Sequence, residues 1–314
     1  MRFALVGAGV MGSLHARVVS QSDRAELVRV IEPREEIGRA VADRYGAEWV
    51  PELDFTGVDA VIVASATESH RDVAFRVLTE GLPLLVEKPV CASLAETEEI
   101  VALSAARDVP LMCGLLERFN PAILTARQLV DRPVHVTATR HSPYAPRIRT
   151  GVAWDLLVHD VDLAIGMFGG VEPAGVRGML GHFHPESATG AEDVAEALLT
   201  FPDGGVATVS ASRIGQRKVR SLTVNEVDRC IEVDLLRKDV TIYRHVSLDA
   251  ATPDGRGYRQ QSIIEIPELI TVREPLAAQL DRFLDILDGK ADAAEERDSI
   301  LPAHRAVGGV LATA

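Results

Sequence analysis

A short apolar run, residues 2–6 (RFALV), stops at Gly7-Ala8-Gly9-Val10-Met11-Gly12 and passes at once into a helical pattern that reaches about Ser22. The next apolar run, 27–31, ends on Glu32. A strand closed by G-x-G-x-x-G, a helix opened by it and an acid ending the following strand form together a dinucleotide-binding turn. Gly7 permits the tight turn, Gly9 lets the backbone approach a pyrophosphate, and Gly12 lets helix and strand pack closely. The amides of Val10 and Met11, at the helix N-terminus, meet the negative charge. Glu32 is placed to accept hydrogen bonds from a ribose diol and to repel a 2′-phosphate, which favours NAD. Arg34, able to serve a phosphate, keeps NADP open.

The alternation continues. Helix 34–45 is stopped by Gly46, strand 60–64 is AVIVA, helix 69–80 is stopped by Gly81, and strand 84–86 follows. Helix 93–107 opens on a Ser93/Glu96 capping box, and strand 111–114 follows. Strands apolar on both faces and separated by helices imply a Rossmann-type, doubly wound parallel sheet covered on both sides. After a crossover helix at 121–130 the period changes to two. Segments 134–140, 176–181, 194–201, 206–212, 219–224, 230–234 and 240–244 read as strands, some joined by turns such as Pro202-Asp203-Gly204-Gly205. They imply a mostly antiparallel open sheet packed on helices, an α+β domain after an α/β one. A chain of 314 residues suits two such domains, expected at 1–118 and 119–314, the second closing with helices at 275–287 and 300–311.

A net charge of −13 argues against nucleic acid as the main partner. Cys91, Cys113 and Cys230 have no metal-ligand spacing and read as reduced core thiols. No apolar run reaches the roughly 18 residues of a membrane span, and the first strand leaves no room for a signal peptide. The expectation is a soluble cytoplasmic protein with no resident metal.

Three further stretches carry chemistry. The loop Ser65-Ala66-Thr67-Glu68-Ser69-His70 falls at a strand C-terminus, so Ala66, Thr67 and His70 are expected to line the cofactor. Glu87-Lys88-Pro89 ends the next strand, where Glu87 and Lys88 are expected to line the cofactor as well; Lys88 there either stands near a nicotinamide or is a surface lysine paired with Glu87. The stretch 154–162, WDLLVHDVD, read as an α-helix, aligns Asp155, His159 and Asp162 on one stripe of an otherwise apolar cylinder. That stripe is either a satisfied internal network or a working site. Asp162 lies deeper along it. Asp160, about 140° from Asp155, is expected at a surface or interface. One histidine and two acids on a single helix do not make a closed metal site.

GAGVMG, the ATESH of 66–70, the EKP of 87–89 and the D-x-x-x-H of Asp155 and His159 together resemble the Gfo/Idh/MocA family of NAD(P)-dependent sugar and polyol dehydrogenases. Order and spacing match along nearly the whole chain, with Glu68 where the family loop often has proline. The resemblance implies that Lys88, Asp155 and His159 surround a reacting hydroxyl, and that the chain forms homodimers or homotetramers. The segments GLLERFNP (114–121) and GVAWDLLVHDVD (151–162) look like a subgroup that includes UDP-N-acetylglucosamine 3-dehydrogenases. Two acid-free basic stretches, one with Arg132, Arg140, Arg147 and Arg149, the other with Arg213, Arg217, Lys218 and Arg220, interrupt an acidic chain. Arg147 and Arg149, just before the helix, are placed to bind a substrate phosphate; subunit contacts or plain solvated charge are the alternatives. Three activities follow as expectations: oxidation of a secondary hydroxyl of a nucleotide sugar or reduction of the corresponding keto-sugar, oxidation of a neutral polyol such as inositol, or dinucleotide sensing without chemistry.

Overall fold

The computed structural model describes residues 1–146, 148–250, 257–270 and 273–313; the side chains of 247–250 and 257–260 lie outside that description. The chain divides into two compact units, 1–119 with 273–308, and 120–272 with 309–314.

The first unit alternates as its sequence dictates: β1 (Arg2–Val6), α1 (Val10–Ser20), β2 (Glu26–Ile31), α2 (Glu35–Tyr45), β3 (Glu48–Val50), β4 (Ala60–Val63), α3 (Thr67–Thr79), β5 (Leu84–Glu87), α4 (Leu94–Arg107) and β6 (Leu111–Gly114). The strands form one parallel sheet ordered β3-β2-β1-β4-β5-β6. The order reverses between β1 and β4, and open parallel sheets bind ligands beyond the strand C-termini at such a point. Residues of β4, β5 and β6 are buried throughout, which is why these strands read as unbroken apolar runs. Local signals set the helix ends: Gly46, left-handed at φ 72°, stops α2, and the Ser93 hydroxyl accepts the Glu96 amide to start α4. The short edge strand β3 is an addition to the sequence reading.

In the second unit α5 (Pro121–Leu129) starts on Asn120, whose side chain accepts the Ala122 amide. There follow β7 (His135–His141), α6 (Val158–Met167), β8 (Gly175–Gly181), β9 (Val194–Thr200), β10 (Val206–Ser212), β11 (Val219–Asn225), β12 (Cys230–Asp234), β13 (Asp239–Ala250) and β14 (Gly257–Glu265). The eight strands are ordered β14-β13-β12-β11-β7-β10-β9-β8, antiparallel except for the β7–β10 pair. α6 packs on β7 and β10. The buried face of these strands carries small side chains, Ala138, Ala207 and Ala211, and Val158, Val161 and Leu163 of the helix are buried.

One expectation is corrected. The C-terminal helices do not close the second domain: α7 (Pro275–Leu287), α8 (Ala293–Asp298) and most of α9 (Leu301–Thr313) belong to the first unit. Leu276, Leu280, Phe283 and Leu284 of α7 join the core formed by Phe3, Leu5, Leu27 and Ile62. Phe283 meets Phe3 edge-on at 6.2 Å and 63°, a geometry worth about 1 kcal/mol beyond burial. No helix among the described residues is long and apolar enough to cross a membrane.

Candidate active site

The residues expected to hold a dinucleotide gather at one edge of the parallel sheet. Gly7 has φ 92°, and a Cβ there would lie 2.6 Å from the Ser65 backbone, so the first turn and the β4–α3 loop abut. A Cβ on Gly12 would lie 2.0 Å from the Gly7 carbonyl oxygen, which fixes that residue as glycine for helix–strand packing. Gly9 differs: a Cβ there would meet no protein atom within 4 Å. The protein itself does not require glycine at that position, but a ligand lying against the turn would. Val10 is 67% exposed beside it, Met11 is half-buried, and α1 starts without a side-chain cap or an acid in its first turn. These features fit a pyrophosphate against the helix N-terminus.

Glu32 follows β2, its carboxylate 3% exposed. Oε2 accepts the Ala8 amide at 2.9 Å, which ties the acid to the glycine turn. Arg34 folds back on it with Nε to Oε1 at 2.7 Å and Nη2 to Oε2 at 2.9 Å. The bonds from Arg34, together with the Ala8 and Arg34 amides, outweigh desolvation and hold the Glu32 carboxyl at about 2 instead of 4.5. The acid and the base that sequence reading weighed separately form one ion pair, with the arginine on the solvent side.

In the neighbouring loop Ala66 precedes the first turn of α3 and is exposed, and Thr67 is half-buried. Ser65 and Ser69 hydroxyls lie 2.7 Å apart. His70 departs from expectation. It is 1% exposed, with Nδ1 2.9 Å from the Pro89 carbonyl and Nε2 3.2 Å from the Ser65 carbonyl. Both ring nitrogens therefore face carbonyl oxygens, to one of which a neutral imidazole donates. Glu87 is likewise buried and is 2.7 Å from His15 Nε2. Lys88, half-buried, follows it before a cis peptide bond to Pro89.

The second unit carries the other candidates, and the helix there is not the regular cylinder expected. Residues Ala153–Leu157 form a wide π turn that runs into α6. The turn is capped from a distance: Glu192 Oε1 accepts the Ala153 amide at 2.7 Å and the Glu192 carbonyl accepts the Val152 amide at 3.1 Å. Such turns widen the helix and re-aim the side chains they carry. Asp155 and His159 come out half-buried, whereas Asp162 is buried. Arg213 donates to Asp155 Oδ2 at 3.3 Å.

Asp160 is the second correction. It is 0% exposed and receives Arg140 in a fork, Nε to Oδ2 at 2.6 Å and Nη2 to Oδ1 at 3.0 Å, with Arg140 itself 1% exposed. Arg140 projects from the buried face of β7, so the residue expected at a surface pins α6 to the sheet. Two of the arginines read as a surface charge run, Arg140 and Arg213, are therefore internal. Arg149 is exposed, and Arg147 lies outside the described residues. Sequence reading missed Glu192, Asp193 and the role of Arg213. Asp193, fully buried, accepts the Phe183 and His184 amides, and these bonds with that from Ser187 lower its carboxyl below the usual range against the desolvation that burial imposes. Adjacent acids at the mouth of an apolar strand were the available signal.

Residues 1–115 match the family described as oxidoreductase family, NAD-binding Rossmann fold, and residues 123–230 match the GFO/IDH/MocA C-terminal domain. UDP-N-acetylglucosamine 3-dehydrogenase of Acidithiobacillus ferrooxidans is 28% identical over 291 residues, 91% of this chain and 88% of its own. The scyllo-inositol 2-dehydrogenase (NAD(+)) of Bacillus subtilis is 30% identical over 236 residues, 68% of this chain and 67% of its own. A solved structure of the Acidithiobacillus enzyme superposes with a TM-score of 0.82, covering 100% of this chain and 98% of that one.

Proposed function

The chain belongs to the GFO/IDH/MocA family of NAD-binding oxidoreductases, and on that premise we propose that it oxidises a secondary hydroxyl of a nucleotide sugar of the UDP-N-acetylglucosamine kind. The observation that carries the substrate class is the extent of the likeness to the Acidithiobacillus enzyme, which runs through both units of this chain. The exposed Arg149, on an acid-free approach to the helix, supports an anionic substrate.

Gly7, Gly9, Val10, Met11, Gly12, Glu32, Ala66 and Thr67 hold NAD, with Glu87 buried beneath the turn that carries Lys88. Bound NAD supplies the hydride acceptor. Every other task falls to side chains. As the carbonyl forms, the hydroxyl proton must leave, and His159 takes it, imidazole being the side chain suited to proton transfer near neutral pH. Its Nδ1 is buried, so Nε2 is the nitrogen that receives the proton. Lys88 Nζ donates to the same oxygen and stabilises the developing alkoxide charge. Asp155, held at one oxygen by Arg213, orients the substrate through a neighbouring hydroxyl. We assign the protein to the cytoplasm and to a homodimer or homotetramer formed through the open face of the second sheet. That face carries Met179, Leu198 and Tyr243 exposed among polar side chains.

A neutral polyol is the second reading, favoured by the inositol dehydrogenases among the relatives. Absorbance of NADH formed with UDP-N-acetylglucosamine and with myo-inositol, side by side, separates the two. Lys88→Met and His159→Ala are each expected to lower kcat by roughly 100-fold or more while NADH binding, read by fluorescence, survives. Normal turnover by either variant refutes that residue's role.

A further inference from the structure

The chain has nine histidines, and the three within the first unit, His15, His70 and His304, all converge on one four-residue turn. They come from three helices, α1, α3 and α9, and are 3%, 1% and 0% exposed. Each grips a different atom of the segment Glu87-Lys88-Pro89-Val90. His15 Nε2 lies 2.7 Å from Glu87 Oε1, and Glu87 Oε2 accepts the Lys88 amide at 3.3 Å. His70 Nδ1 donates to the Pro89 carbonyl at 2.9 Å. His304 Nε2 accepts the Val90 amide at 3.3 Å, while its Nδ1 donates to the Ile300 carbonyl at 2.8 Å. The opposite strand makes room: a Cβ on Gly114 would lie 2.9 Å from Glu87 Oε2.

Burying an imidazole costs free energy unless its nitrogens are bonded, and an apolar side chain would fill the same space without that cost. Three such residues on one turn are not explained by core packing. The turn they hold carries Lys88, with one grip on the carboxylate before it and two on the peptide groups after it. A lysine side chain has four rotatable bonds, so fixing its backbone is the protein's means of limiting where the ammonium reaches.

We propose that His15, His70 and His304 are positioning residues for Lys88, a clamp that sets the turn so that the ammonium meets the reacting oxygen. The proposal rests on the role given above to Lys88. Its test has a readout that needs neither cofactor nor substrate. The chain has four lysines, and Lys218, Lys238 and Lys290 are exposed. In protein reductively methylated with ¹³C, the Lys88 methyl signal of the full chain is therefore resolvable from the rest. His15→Leu and His70→Leu are expected to move that signal toward those of the exposed lysines. In unmodified protein with UDP-N-acetylglucosamine and NAD they are expected to lower kcat by 10- to 100-fold, since misplacement by about 1 Å can cost roughly 100-fold. The Kd for NADH is expected to stay within about threefold, because the glycine turn is untouched. His15→Gln and His70→Asn, which keep a donor at Nε2 and Nδ1 respectively, are expected to restore both signal and rate. Should His15→Leu not fold, His15→Asn, whose amide is too short to reach Glu87, takes its place. A Lys88 signal unmoved in the leucine variants, or the same loss in leucine and conservative variants, overturns the clamp. A moved signal with unchanged kcat leaves the clamp standing and refutes the catalytic role of Lys88 instead.

Discussion

Asp160→Ala should be among the most destabilising single substitutions in the second unit. The carboxylate receives two charge-assisted bonds from Arg140, at 2.6 and 3.0 Å, and both partners are out of water. Bonds of this kind contribute about 1.5–3 kcal/mol each, and removing one partner of a buried pair costs about 3–5 kcal/mol because the other charge is left uncompensated. That is about a fifth or more of the stability of a typical domain. The two tryptophans divide between the units, Trp49 in the first and Trp154 in the second, six residues before Asp160. In a Trp49→Phe background, urea unfolding followed by Trp154 fluorescence therefore reads the second unit alone. The midpoint should fall by the equivalent of about 3–5 kcal/mol in Asp160→Ala. It should recover largely when Arg140→Met is added to Asp160→Leu, since apolar replacement of both partners removes the stranded charge. A loss below about 1 kcal/mol, the value of an exposed pair, would refute the argument that α6 is pinned by a buried charge.

Other predictions rest on the first unit and the loop before the helix. Gly9→Val should fold with an unchanged melting midpoint yet lose NADH binding by fluorescence titration, because its side chain enters space only a ligand would use. Gly7→Val, strained at φ 92° and driven into the Ser65 backbone, should lose stability as well. Glu32 has a carboxyl depressed from 4.5 to about 2, so it contributes stability above pH 4.5 that is lost as pH falls toward 2. The difference in unfolding free energy between wild type and Glu32→Gln, read from urea titrations, should shrink progressively as pH falls below 4.5. Arg149→Ala should raise KM for UDP-N-acetylglucosamine and leave that for myo-inositol unchanged; equal effects would remove the phosphate contact from the account.

Much of the first unit was legible because its signals are local. Strands buried on both faces read as apolar runs, and glycines and caps mark the helix ends. β3 was not legible, being three residues at a sheet edge, one exposed and two half-buried. β14, GYRQQSIIE, carries too few apolar residues to show a period. The return of α7 to the first core, the Arg140–Asp160 pair and the Glu192 cap on Ala153 all join residues 20 to some 280 positions apart, which no window of sequence contains. The same limit governed the site. Asp155 and His159 were singled out from their spacing, but the π turn that carries Asp155 and runs into the helix of His159 is capped by a carboxylate 39 residues away from the amide it accepts. His70 was read as a cofactor contact from its place in a loop; its ring is buried between two carbonyl oxygens, one of them 19 residues on.

The central claim is that hydride passes between a sugar carbon bearing a hydroxyl and NAD. Incubating the protein with NAD and UDP-N-acetylglucosamine deuterated on its ring carbons, then examining the product by proton NMR, tests it most directly. Reduced cofactor carrying one deuterium at nicotinamide C4 is expected with wild type, formed about 100-fold or more slowly by Lys88→Met. Reduced cofactor without deuterium, or none with this sugar and with myo-inositol alike, would contradict it.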